Sequence, residues 1–164
     1  MSEENSIDVY SFEKENREYF ERSLPPRPAH YFDLEGFKEI TRELLREQEN
    51  HDVYMHLIRD AQGTMVGRIN LSVLGKDRKT AELGYRIGEN VTNLGYASEA
   101  VKLVLEKAFT TYGLHKIIAG TATDNLISQR VLLKNGFTFS RIIENDFQMH
   151  NEWIHTAVFE IRNL

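Results

Sequence analysis

The chain has 164 residues, 41% of them hydrophobic, and a formal net charge of -5, which allows one proper core and leaves too little chain for two ordinary domains. There is no cysteine, so a disulfide framework, a thiolate metal site and a cysteine nucleophile are excluded, and the acidic balance argues against a general nucleic-acid binder, whose phosphate contacts need a basic surface. The acidic N-terminus, with Glu3, Glu4, Glu13 and Glu15, does not read as a signal peptide, and no apolar run reaches the ~20 residues that cross a bilayer; a single cytoplasmic domain over residues 1–164 is expected, with no membrane or nucleic-acid partner.

Val9, Phe12, Tyr19 and Phe20 are the apolar positions of a first predicted helix, Val9 to Arg22, and Phe37, Ile40, Leu44 and Leu45 form the stripe of a second, Glu35 to Glu49. Between them Leu24-Pro25-Pro26-Arg27-Pro28 is a rigid loop, because proline lacks a backbone donor and restricts the residue before it. From Val53 the period becomes two. Val53, Met55 and Leu57, then Ile69, Leu71 and Val73, mark two strands joined by a hairpin at Asp60-Ala61-Gln62-Gly63. After the polar turn Lys76 to Lys79, Ala81 to Gly88 reads as a third antiparallel strand.

Helical spacing returns in Ala97, Ala100, Val101, Val104, Leu105, Ala108, Phe109 and Tyr112, and Gly113 ends it. A short apolar strand follows at His115 to Ala122, then a short helix at Leu126 to Lys134 stopped by Asn135-Gly136. Phe137 to Glu144 and Trp153 to Ile161 form a closing strand pair. The order strand, helix, strand, helix implies a parallel pair with crossover connections.

The stretch with chemical content is the strand 81–88, the turn Asn90 to Gly95 and the helix that begins at Tyr96. Gly95 lets the backbone turn freely, and the amides of Gly95 to Glu99 have no intrahelical acceptor. Such amides, at the positive end of a helix dipole, can hold a diphosphate, although a glycine at a helix start is more often a simple turn.

Several motifs in order carry a resemblance. Gly95-Tyr96-Ala97-Ser98-Glu99-Ala100 resembles the pyrophosphate loop and helix of the GNAT superfamily, and Ala81-Glu82-Leu83-Gly84-Tyr85-Arg86-Ile87 resembles the preceding strand in its ribosomal-protein N-terminal (Rim-type) branch. Asn125-Leu126-Ile127-Ser128 with Lys134-Asn135-Gly136-Phe137, and Asn16-Arg17-Glu18 with Leu24-Pro25, resemble that branch's later helix and its acceptor-side helix and proline loop. The chain departs from the pattern at Thr92, where glutamine or arginine is usual, at Asn93, where glycine is frequent, and at His155 and Phe159, where acidic and tyrosine residues are expected. The residues ahead of Asn16 read as helix, so the family's first edge strand is expected to be missing.

The resemblance implies an α/β GNAT fold: a mixed, mostly antiparallel sheet with a V-shaped splay between strands 81–88 and 115–122, flanked by about four helices. It implies acetyl-CoA as cosubstrate, an amine acceptor (a peptide N-terminus or a small molecule) and direct acetyl transfer; a homodimer is left open. The coenzyme contacts it points to are Ile87, Leu94, Gly95, Tyr96, Ala97, Ser98, Asn125 and Ser128. Arg130 and Lys134, one turn apart, are added as phosphate contacts, against the plainer reading of a solvated face. Ser128 matches the serine that the branch places near the sulfur, where a hydroxyl can protonate the departing thiolate; a polar first-turn residue capped by Asp124 or Asn125 is the alternative.

Glu82, opposite in face to Leu83, Tyr85 and Ile87, is the candidate base, or else a surface residue paired with Lys79 or Arg68. A base of modest strength suffices for an α-amine, whose deprotonation at neutral pH costs about 1 kcal/mol against about 4 for a lysine. His30, His51, His56, His115, His150 and His155 show no ligand spacing, so no metal is expected. Trp153, Tyr31 and Phe32 read as packing. The rival readings are acetylation of a small amine (polyamine, amino acid or antibiotic) and a non-catalytic acyl-CoA sensor.

Overall fold

The computed structural model describes residues 1–163. Its five α-helices are α1 (Ser6–Glu15), α2 (Arg17–Glu21), α3 (Leu34–Glu49), α4 (Tyr96–Thr110) and α5 (Leu126–Lys134). The strands are β1 (Val53–Arg59), β2 (Met65–Leu74), β3 (Thr80–Ile87), β4 (Lys116–Ala122), β5 (Thr138–Met149) and β6 (Glu152–Arg162), with short 3-10 turns at Ala29–Phe32 and Glu89–Val91. They form one six-stranded sheet in the order β1-β2-β3-β4-β6-β5. Among the described residues no strand precedes Val53, as the helical reading of the N-terminus requires.

The chain falls into two compact units, Met1–Asn70 with Tyr85–Tyr96, and Leu71–Gly84 with Ala97–Leu164. In the first, the single helix expected over Val9 to Arg22 is two helices broken at Asn16. The reason is local competition for backbone groups: the Asn16 side chain donates from Nδ2 to the Phe12 carbonyl at 2.9 Å and accepts the Glu89 N–H on Oδ1 at 2.9 Å. Buried Val9, Tyr31 and Phe37 form a core with Tyr10, Phe32 and Ile40 packed against it, the Tyr31 and Phe37 rings edge-on at 5.3 Å. On α3 the buried pair is Phe37 and Thr41, with Ile40, Leu44 and Leu45 half covered. The hairpin turn forms where expected: Gly63 donates to the Asp60 carbonyl at φ +85°, and Asp60 Oδ1 takes the Gln62 and Thr64 N–H groups. Gly67 is required in β2, since a Cβ there would lie 2.5 Å from the Arg86 carbonyl oxygen.

In the second unit, α4 buries Ala100, Val101, Val104, Leu105 and Ala108, a stripe worth roughly 1.5–3 kcal/mol for each fully covered valine or leucine. Gly113, at φ +64°, ends it. β3 pairs parallel with β4 over three positions, Thr80↔Lys116 to Glu82↔Ile118. β4 pairs antiparallel with β6 along its whole length, Lys116↔Arg162 to Ala122↔Thr156. The parallel ladder therefore stops early, and the β3 side of β4 from Ala119 to Ala122 has no strand partner among the described residues. β5 and β6 run longer than the apolar pattern suggested, held by a ladder with two irregularities, at Phe139/Arg141 and Ile143/Phe147. Trp153 is not packing: it stands 54% exposed on β6, whereas Tyr31 is 4% exposed in the core of the first unit.

Candidate active site

The loop after β3 is shaped by its own backbone. The 3-10 turn Glu89–Val91 leads to Asn93 at φ +62° and Gly95 at φ +91°. Asparagine tolerates the left-handed region better than other residues with a side chain, so Asn93 keeps a turn for which glycine would be the ordinary choice. The Thr92 hydroxyl is spent inside the loop, donating to the Glu89 carbonyl at 3.1 Å. Asn16 caps the turn through the Glu89 N–H, and Arg22 holds the Glu89 carboxylate at 2.9 Å. Nothing lies within 4 Å of where a Gly95 side chain would begin, which leaves the backbone there open to a ligand. Leu94 is 66% exposed and Ile87 half-buried.

α4 starts at Tyr96, so the N–H groups of its first turn lack intrahelical acceptors by geometry. Tyr96, Ala97 and Ser98 are half-buried. Within the second unit Ser98 is tied to α5, because Asn135 Nδ2 donates to its hydroxyl at 3.3 Å and to the Val131 carbonyl at 2.9 Å. At the other end of α5 the cap is Asn125, not Asp124: its Oδ1 accepts the Ser128 N–H at 3.1 Å. Gln129 Nε2 donates to the Thr123 carbonyl at 2.9 Å and fastens this helix to the end of β4. Asn125 and Ser128 are thus brought together. Arg130 and Lys134 are exposed and make no ion pair among the described residues.

Glu82 is exposed between buried Ala81 and Leu83. Neither alternative partner holds it: Lys79 Nζ donates to the Gly113 carbonyl, and Arg68 is paired with Glu13. On β6, His155 Nδ1 accepts the Asn145 N–H at 3.1 Å, and Phe159 is buried edge-on to Phe139; both serve the strand pair. Among the described residues no group of three or more His, Asp or Glu is placed to hold a metal.

The sequence reading missed a charged cluster in the first unit. Glu13 is 1% exposed, with Oε2 2.8 Å from Arg86 Nη1 and Oε1 2.8 Å from Arg68 Nε, the latter an ion pair not aligned as a hydrogen bond. Arg68 is itself 7% exposed. The guanidinium of Arg86 lies over Phe20 at 5.0 Å and that of Arg27 over Tyr31 at 5.2 Å. Burial pulls the Arg86 pKa down, Glu13 opposing and Arg27 and Arg68 adding to it. Burial likewise pushes the Tyr31 phenol up, against the pull of Arg68. One signal was legible: Glu13 falls on the Val9, Phe12 stripe of α1, where a charge needs a buried partner.

Residues 4–138 match the acetyltransferase (GNAT) domain. The chain belongs to the GNAT family. Its relatives include the probable N-acetyltransferase YjcK of Bacillus subtilis (strain 168), 30% identical over 153 residues that cover 92% of this chain and 84% of that protein. The fold matches that of the ribosomal-protein-S5-alanine acetyltransferase of Vibrio fischeri, with a TM-score of 0.92 at 18% identity over 99% of this chain and 90% of that one. It also matches spermidine N-acetyltransferase of Vibrio cholerae, solved in complex with CoA and spermine, with a TM-score of 0.82 at 17% identity over 99% and 92% of the two chains. As a GNAT protein the chain is an N-acetyltransferase that uses acetyl-CoA.

Proposed function

We propose that this GNAT enzyme acetylates the α-amine of a peptide or protein terminus by direct attack. Acetyl-CoA supplies a thioester-activated acetyl group. The amides of Leu94 to Ser98 hold its diphosphate, helped by the open backbone at Gly95. Ile87, Asn125, Arg130 and Lys134 add coenzyme contacts, and the free edge of β4 offers carbonyl and N–H groups to an extended chain, as to an added strand. Glu82, exposed and without an ion pair among the described residues, accepts the amine proton through water, and the Ser128 hydroxyl gives a proton to the departing sulfur.

The observation that carries the choice of acceptor is the charge of the first unit. Arg68 and Arg86 pair with Glu13, Arg27 lies over Tyr31, and all three act on the Tyr31 phenol; Arg27 and Tyr31 belong to the segment that follows the residues resembling the acceptor-side helix and proline loop. A cation brought within ~8 Å of one such guanidinium meets about 2 kcal/mol of repulsion at an effective dielectric constant near 20. A polyamine carries several such charges, whereas a peptide terminus needs carry one, lost on deprotonation. The test is thiol release from acetyl-CoA against amidated peptides with free α-amines, spermidine and single amino acids. Peptide α-amines should be acetylated fastest. Preference for spermidine over every peptide would overturn the acceptor reading, and coenzyme binding without any thiol release would leave a sensor.

A further inference from the structure

Resting on the reading of residues 16–33 as the acceptor side, we infer that Arg27, Arg68 and Arg86 form a recognition site for a carboxylate carried by the acceptor. Two of the guanidinium groups pair with the Glu13 carboxylate, and the third, Arg27, lies over Tyr31, on which all three act. Glu13 faces Arg68 Nε with one oxygen and Arg86 Nη1 with the other, and among the described residues Arg27 makes no ion pair with a carboxylate. Nε of Arg27 is buried without a hydrogen-bond partner, and a buried donor left unmet costs about 1–3 kcal/mol.

The arrangement suits a planar anion. Arg27 stands between Pro26 and Pro28, whose rings fix the backbone that carries it. The guanidinium of Arg27 lies over the Tyr31 ring and that of Arg86 over Phe20; Arg86 already donates from Nη1 to Glu13, whereas Arg27 keeps a fork of donors of the kind that matches a carboxylate. The Glu13 carboxylate, with a smaller share from the Tyr31 phenol, favours the charge of Arg86, while Arg27 and Arg68 both oppose it. A second carboxylate relieves that imbalance; a second cation worsens it. The acceptor is therefore an α-amine with an acidic side chain or carboxylate nearby, such as a peptide with glutamate or aspartate close to its first residue.

The experiment compares kcat/KM for paired amidated tetrapeptides that begin with alanine and carry glutamate or glutamine at the second or third position. Glycine against glycinamide, and spermidine, complete the panel, and the native chain is run beside Arg27→Gln and Arg27→Lys. The native chain should favour the glutamyl peptide about tenfold, the scale of a charge-assisted hydrogen bond. That ratio should fall toward one in Arg27→Gln and stay intermediate in Arg27→Lys. Because it is a ratio within one protein, a general loss of folding or turnover does not move it. A native ratio at or below one overturns the inference, as does a ratio unchanged in Arg27→Gln. So does a raised KM for acetyl-CoA with the ratio intact, which would assign the arginines to the coenzyme's phosphates. If peptides are silent but glycine outpaces glycinamide through Arg27, the peptide reading fails and the carboxylate site stands. If spermidine alone is acetylated, or no anionic acceptor is, the carboxylate site falls.

Discussion

Glu13→Gln keeps the volume of the side chain and removes the negative charge paired with both Arg68 and Arg86. Removing one partner of a buried ion pair costs about 3–5 kcal/mol, because the other charge is left without compensation. Here two guanidinium groups lose their counter-charge at once, in a place where Glu13 is 1% and Arg68 7% exposed. The glutamine carbonyl still accepts from one of them, so the lower end, about 3 kcal/mol, is expected for Gln and the upper end for Ala, which adds a cavity. For a domain of this length each kcal/mol moves Tm by about 2–4 °C, which gives a fall of roughly 6–12 °C for Glu13→Gln. Thermal and urea unfolding at neutral pH measure it. Repetition at high salt separates a buried pair, screened little, from a surface one; the deficit should persist. Replacing all three residues with leucine or methionine should recover most of the stability, since apolar substitution of a whole buried ionic cluster is often neutral. A Glu13→Gln protein within 2 °C of the native one would show that the carboxylate does not hold α1 to β2 and β3.

Gly95→Val should raise the dissociation constant for acetyl-CoA at least tenfold by calorimetry, while the backbone strain at φ +91° costs only about 1–2 kcal/mol of stability; an unchanged constant refutes the diphosphate assignment. Asn125→Ala removes the cap of α5 and should lower stability by about 1 kcal/mol in a denaturant titration, with no loss meaning that solvent caps equally well. Ser128→Ala should lower kcat by ~10²-fold with the KM for acetyl-CoA nearly unchanged, and Glu82→Gln should slow the reaction most at low pH and recover as the amine deprotonates; variants with full activity and an unaltered pH profile would remove both assignments. The hydrogen bond from Lys116 holds the Glu160 carboxyl below its ordinary 4.5. Its stabilisation is thus complete above pH 4.5 and lost as pH falls through the lowered value, so Glu160→Gln should flatten the acid limb of Tm against pH, and an unaltered limb would refute the pair.

Repeating patterns made much of this fold legible in the sequence. The stripe from Ala100 to Ala108 announced α4, Gly113 its end, Asn135-Gly136 the end of α5, and Asp60 to Gly63 the first hairpin, because spacings of four residues and turns of four are local hydrogen-bond geometry. The family was legible too, through Gly95 to Ala100 and the motifs on either side. What the sequence could not disclose is which distant groups answer one another. Asn16 breaks a helix because its acceptor atom is claimed by the Glu89 N–H, 73 residues away, and Glu13 is buried because Arg86 waits at the same separation. Ser98 is tied to Asn135 across 37 residues. A charge or an amide carries no periodicity that names its partner, so only the tertiary fold, which fixes distance and removes water, decides whether Glu13 is a solvated residue or the buried centre of an arginine cluster.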